Sequence, residues 1–149
     1  MIKLNLGCGF EKKEGFINVD LVDADIIADL NQDWDFVEAN SVDYILASNI
    51  FEHLPDKIHT MNELYKILKV GGIAEIYVPS TDGRGAFQDP QHCSYWNINS
   101  FEYFSSSKNY AWHLLNSRYG FKGDFEINEL VDIDMQGKII MTKAILEKV

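Results

Sequence analysis

Leu4-Asn5-Leu6-Gly7-Cys8-Gly9 is a short apolar strand running into a Gly-x-Gly turn, and the rest of the chain is best read outward from it. Glycine at these positions permits unusual backbone angles and lets a ligand approach the main chain. A dinucleotide fingerprint would need a third glycine, but Phe10, Glu11 and Lys12 follow Gly9. Only six residues separate Gly9 from Phe16, too few for a phosphate-binding helix, so a pyrophosphate ligand is disfavoured.

Beyond the turn, short apolar runs predict strands at 16–19, 26–28, 42–47 and 73–78, after a first strand at 2–6. Met61, Leu64, Tyr65 and Leu68 follow the i, i+3, i+4, i+7 spacing of a helix with one buried face. Pro55-Asp56 marks its start, and Lys66, Lys69 and Gly71 mark its end. Strand, helix, strand implies a right-handed crossover and parallel pairing. From Phe125 to Met135 odd positions are mostly apolar, with a break at Glu129-Leu130 that suggests a bulge. Gln136-Gly137 reads as a tight turn into a second apolar run at 139–146, giving a C-terminal antiparallel hairpin. The expected fold is α/β, a Rossmann-like three-layer sandwich with a mostly parallel sheet and its first helix shortened or absent. One domain is expected over 1–149. Its aromatic-rich cap, about 87–121, holds 10 of the 19 aromatic residues.

Asp20, Asp29-Leu30 and Ser48-Asn49 close the second, third and fourth strands. Ligands of open α/β sheets bind outside the carboxyl ends of the strands, so these residues converge on one edge. A carboxylate at Asp20 can accept both hydroxyls of a ribose, and Asp29 can meet an exocyclic amine. Each aspartate taken alone is also an ordinary turn or cap residue; the agreement of successive strand ends carries the reading.

Composition narrows the field. With 13 Lys and Arg against 23 Asp and Glu, the net charge is −10, which disfavours generic binding to nucleic acid or anionic membrane. No apolar run reaches the roughly 18 residues of a membrane span, and no secretory apolar segment opens the chain; a soluble, cytoplasmic protein is expected. Cys8 and Cys93 form no CxxC. The six aspartates between Asp20 and Asp35 scatter over strand ends and a loop, so no metal is expected from them.

These pieces resemble the class I S-adenosylmethionine-dependent methyltransferases. The similarity runs through Leu-Asn-Leu-Gly-Cys-Gly at 4–9, Gly-Phe-Ile-Asn-Val-Asp at 15–20, Ala-Asp-Leu at 28–30 and the run from Ser41 to Leu54. It continues from Glu63 to Pro79, where Val70 replaces the proline usual before Gly-Gly. The short link after Gly9 is similar to a compact, methyltransferase type 11-like subgroup. The resemblance implies S-adenosyl-L-methionine as cofactor. Gly7 and Gly9 would face its methionine part and Asp20 its ribose. Asp29 and Leu30 would border adenine, and Ser48 and Asn49 would lie near the methyl end. Asn5, Cys8, Leu21 and His53 complete the expected cofactor set.

Methyl transfer to a hydroxyl benefits from a base. His92, in Asp89-Pro90-Gln91-His92, is the candidate, with Asp89 orienting it or stabilising its charge; a backbone-bonded structural histidine is the plain alternative. Trp96, Phe101, Tyr103 and Phe104 either wall an acceptor pocket or pack as core, and the core reading is preferred. The function expected is methyl transfer to a small-molecule acceptor, with a hydroxyl suggested only by the resemblance. The alternative is a non-catalytic S-adenosylmethionine-binding or interaction module. A nucleotide-dependent oxidoreductase is disfavoured by the missing third glycine. Acceptor identity and oligomeric state stay open.

Overall fold

The computed structural model describes residues 1–149. Its centre is a seven-stranded sheet. The strands are β1 (Lys3–Leu6), β2 (Ile17–Asp20), β3 (Ile26–Ile27), β4 (Val42–Ser48), β5 (Leu68–Pro79), β6 (Phe125–Asp134) and β7 (Ile140–Lys148), in the spatial order β3-β2-β1-β4-β5-β7-β6. The first five pair in parallel, whereas β7 runs antiparallel to β5 and to β6. The order reverses between β1 and β4, so this parallel half has a topological switch point beside the Gly-x-Gly turn.

The link from β1 to β2 contains no helix. Side chains brace it instead. Asn5 Nδ2 donates to the Glu11 carbonyl and to Asn18 Oδ1, each at 3.0 Å, and Lys13 N donates to Asn18 Oδ1 at 2.8 Å. Asp25 accepts from both the backbone and side-chain nitrogens of Asn18, which holds its carboxyl below the ordinary range.

Helix α1 (Lys57–Ile67) is capped by Asp56, whose side chain accepts from His59 N at 2.9 Å. The helix buries Met61, Leu64 and Ile67, close to the expected face. Leu68 is a correction: it is the first residue of β5 and pairs with Val42, so the helix stops a residue early and the strand begins before Gly71-Gly72. An i+7 apolar residue has the same spacing in a helix's last turn and in the strand it feeds. The expected bulge in β6 is a register shift between Ile127 and Glu129. The hairpin turn is wider than a two-residue turn: Gln136, Gly137 and Lys138 all have positive φ, and Met135 N bonds to the Ile139 carbonyl.

Between β5 and β6 lie α2 (Gly85–Gln88), α3 (Ile98–Glu102) and α4 (Tyr110–Arg118). Trp96, Phe101 and Phe104 are buried in the same cluster as Leu4, Ile45 and Ala144 of the sheet. Trp96 stacks on Phe101 with centroids 5.1 Å apart and donates from Nε1 to Ser94 Oγ at 2.9 Å. Tyr103, partly buried against this core, stacks on Trp112. Trp96 and Phe101 are core, whereas Tyr103 and Phe104 also line a separate cavity of about 280 Å³ with Lys57, Ile58, Ser100 and Asn116. No helix is long and apolar enough to cross a membrane.

Candidate functional site

Two cavities open at the carboxyl ends of the parallel strands. The first, about 110 Å³, is lined by Gly7, Asp20, Leu21, Asp29, Leu30 and His53, together with Ala28, Asn31, Ile50 and Leu54. The second, about 340 Å³, is lined by Asn49, Glu52, His53, Asp89 and His92 with Pro79, Gly85, Gln88, Ile139 and Met141. His53 belongs to both. Six of the residues expected from sequence therefore meet in the first cavity, and four in the second, with His53 counted in each.

The three N–H groups of the Gly-x-Gly turn are bonded within the protein. Gly7 N and Cys8 N both donate to the Val19 carbonyl, at 2.8 and 3.2 Å, and Gly9 N donates to Asp20 Oδ2 at 2.8 Å. No run of free N–H donors remains for a phosphate, as the missing helix implied. Gly9 has φ of +51° and nothing within 4 Å of where a β-carbon would stand, so its main chain is open to a ligand. Gly7 is different: a β-carbon there would lie 2.6 Å from Ile50 Cγ1, so a neighbouring side chain covers it.

Asp20 also accepts from Leu21 N through Oδ1 at 2.7 Å, leaving each oxygen with a further lone pair at the cavity wall. Asp29 Oδ1 accepts from Asn31 N and Nδ2, both at 2.9 Å, which keeps its carboxyl low and ionised. Asn5 and Cys8 differ from these wall residues. Both side chains are buried and line neither cavity; Asn5 braces the link to β2, and burial pushes the Cys8 thiol up. Ser48 also lines neither cavity, although Asn49 beside it does.

In the second cavity His92 Nδ1 lies 3.0 Å from the Ala86 carbonyl. A carbonyl can only accept, so this bond places the proton on Nδ1 and leaves the lone pair on Nε2. Nε2 is 3.6 Å from Asp89 Oδ2 and 4.0 Å from Glu52 Oε1. The His53 ring stands edge-on to that of His92, with centroids 4.9 Å apart.

Glu52 was not among the residues singled out in the sequence. It is 2% exposed, and Oε2 has no hydrogen-bond partner. Burial pushes its carboxyl up to about 7, opposed by its own backbone N–H and by His92. The available signal was its place between the end of β4 and His53. Its burial depends on Cys93 N and Ser94 N, which both donate to the Glu52 carbonyl from far along the chain.

The switch-point edge, the strand-end aspartates and the C-terminal antiparallel hairpin define a Rossmann-like α/β fold with a ligand edge at the strand ends. A methyltransferase-domain family model matches residues 6–124. A comparison with curated proteins found no match. Among solved structures, the chain is similar to an S-adenosylmethionine-dependent methyltransferase from Archaeoglobus fulgidus, at 17% identity and a TM-score of 0.63, covering 98% of this chain and 85% of that one. It is also similar to an S-adenosylmethionine-dependent methyltransferase from Methanosarcina mazei, at 12% identity and 0.64, covering 99% and 92%. A third is the Burkholderia thailandensis 1,6-didemethyltoxoflavin-N1-methyltransferase, with 1,6-didemethyltoxoflavin and S-adenosylhomocysteine bound, at 13% identity and a TM-score of 0.65, covering 99% of this chain and 71% of that one. The chain belongs to the methyltransferase-domain family, and its fold is shared with S-adenosylmethionine-dependent methyltransferases.

Proposed function

We propose that this chain transfers a methyl group to a hydroxyl of a small-molecule acceptor, with the cofactor on the first cavity and the acceptor in the second. The observation that carries this reading is His53, which lines both cavities and so joins them at one ring. The open main chain at Gly9 and the Asp20 carboxylate on the cavity wall fit the cofactor's methionine and ribose parts. Gly7 borders the methionine part, Asp29 and Leu30 border adenine, and Leu21 flanks the ribose. Ser48 and Asn49 lie toward the methyl end. Residues 1–149 are read as one domain, in which the 87–121 segment caps the acceptor side.

When bound, the cofactor supplies a methyl carbon on a positively charged sulfur, so its leaving group needs no acid. The chain then has to align the acceptor oxygen, exclude water and remove one proton. The Ala86 carbonyl holds His92 in the tautomer whose free Nε2 can take that proton, and Asp89 stabilises the imidazolium that results. The excess of acidic groups suits a cationic cofactor and disfavours a polyanionic acceptor.

A second reading, a non-catalytic module of the same fold, is favoured by one contact, Ile50 over Gly7. Isothermal titration with S-adenosylhomocysteine, with NADH as control, tests the cofactor assignment. Saturable binding of the former alone is expected. A panel of small hydroxylated acceptors then separates the two readings, because the module would bind cofactor without turnover.

A further inference from the structure

We propose that Glu52, His53 and His92, with Asp89 beside them, form a binding site for one divalent transition-metal ion. One donor atom from each of Glu52, His53 and His92 lies within 4.8 Å of the others. Nε2 of His92 presents a lone pair, because its other nitrogen is spent on the Ala86 carbonyl. That lone pair faces two carboxylates, at 4.0 Å for Glu52 and 3.6 Å for Asp89. Three electron-rich groups thus converge with no hydrogen bond between Nε2 and either acid, since both distances exceed the limit for one. Ligands about 2.1 Å from a shared ion stand roughly 3.0–4.2 Å apart, depending on geometry, a range that includes both separations from His92 Nε2.

The second, independent observation is Glu52 Oε2, buried and without a partner. An orphaned buried carboxylate oxygen is costly, and a bound cation would satisfy it. The backbone carbonyl behind His92 is the arrangement that orients metal-ligating imidazoles. Another acid–histidine group, Asp33, His59 and Glu63, makes a useful contrast. There the buried acid Glu63 is already satisfied, accepting from Trp34 N and pairing with Lys66, so no orphaned carboxylate oxygen calls for a cation.

Two imidazoles and a carboxylate select ions such as Zn²⁺, Mn²⁺ or Fe²⁺ over Mg²⁺ or Ca²⁺, and leave coordination positions open toward the 340 Å³ cavity. An imidazole nitrogen that holds an ion cannot also accept a proton, so base catalysis by His92 belongs to the ion-free chain. The site itself does not depend on the methyl-transfer reading.

The test uses the whole chain, freed of metal with a chelator and titrated with Co²⁺ as a spectroscopic probe, with Zn²⁺ as competitor. One Co²⁺ per chain is expected, with visible absorption displaced by Zn²⁺. Glu52→Gln and His92→Ala should each weaken it at least tenfold, and His59→Ala should not. Thermal unfolding checks that each variant is folded. No Co²⁺ absorption in the folded wild type, or equal affinity in folded Glu52→Gln and His92→Ala, overturns the site. S-adenosylhomocysteine titrations on the same samples report separately on the cofactor reading.

Discussion

Asp20 Oδ2 accepts a hydrogen bond from Gly9 N at 2.8 Å, tying the end of β2 to the turn that follows β1. One carboxylate therefore shapes the loop and, in the proposed complex, receives the ribose. Asp20→Ala should weaken S-adenosylhomocysteine binding by about 1–3 kcal/mol through lost charged hydrogen bonds. Calorimetric titration of folded protein measures this, and unchanged affinity would remove Asp20 from the site.

His92 touches the proposed acceptor side without lining the first cavity. His92→Ala should lower turnover by about 100-fold or more while cofactor affinity stays within a few-fold, as expected for a lost general base. Parallel loss of kcat and cofactor binding would make the residue structural.

The two turn glycines should respond differently to alanine. At Gly7 the new β-carbon meets Ile50 Cγ1 at 2.6 Å and φ is +62°, whereas at Gly9 only the backbone angle, +51°, is strained. Gly9→Ala should cost about 1–2 kcal/mol from the left-handed conformation, and Gly7→Ala more. Urea unfolding gives both values. Ile50→Ala should relieve part of the Gly7→Ala penalty in the double variant, and strict additivity would contradict the predicted clash.

Glu75 accepts from Tyr77 through one carboxylate oxygen at 2.6 Å and from Tyr44 through the other. The hydrogen bond to Glu75, reinforced by burial, pushes the Tyr77 phenol up to about 12. The folded chain thus holds this proton more tightly than the unfolded chain, whose tyrosines ionise near pH ~10. Its contribution to stability is complete below that value and is lost as pH rises toward about 12. In an ultraviolet titration, Glu75→Gln should make one tyrosine ionise earlier than in the wild type. Superimposable curves would show that Glu75 does not control Tyr77.

Much of the fold was legible because its signals are local. The apolar runs of β1, β2 and β4, the Asp56 cap and the buried stripe of α1 depend on residues a few positions apart. The missing first helix was equally readable, since six residues between Gly9 and Phe16 cannot hold one. Strand ends of a parallel sheet share one edge, so the meeting of Asp20, Asp29 and the Gly-x-Gly turn was foreseeable as well. At Leu68 local spacing misled, because helix and strand both place an apolar residue there.

Tertiary structure alone decided which side chains face the cavities. Asn5 and Cys8 sit inside the ligand-associated motif, yet the helix-free link draws Asn5 onto Asn18 and buries Cys8. Ile50 covers Gly7 only because β4 pairs with β1. Glu52 becomes a buried acid beside His92 because residues 93 and 94 return to bond its carbonyl across 41 positions of chain. Backbone pattern and spacing determine where strands end; burial and the direction of a carboxylate depend on contacts that close over long stretches of chain, and no local pattern encodes them.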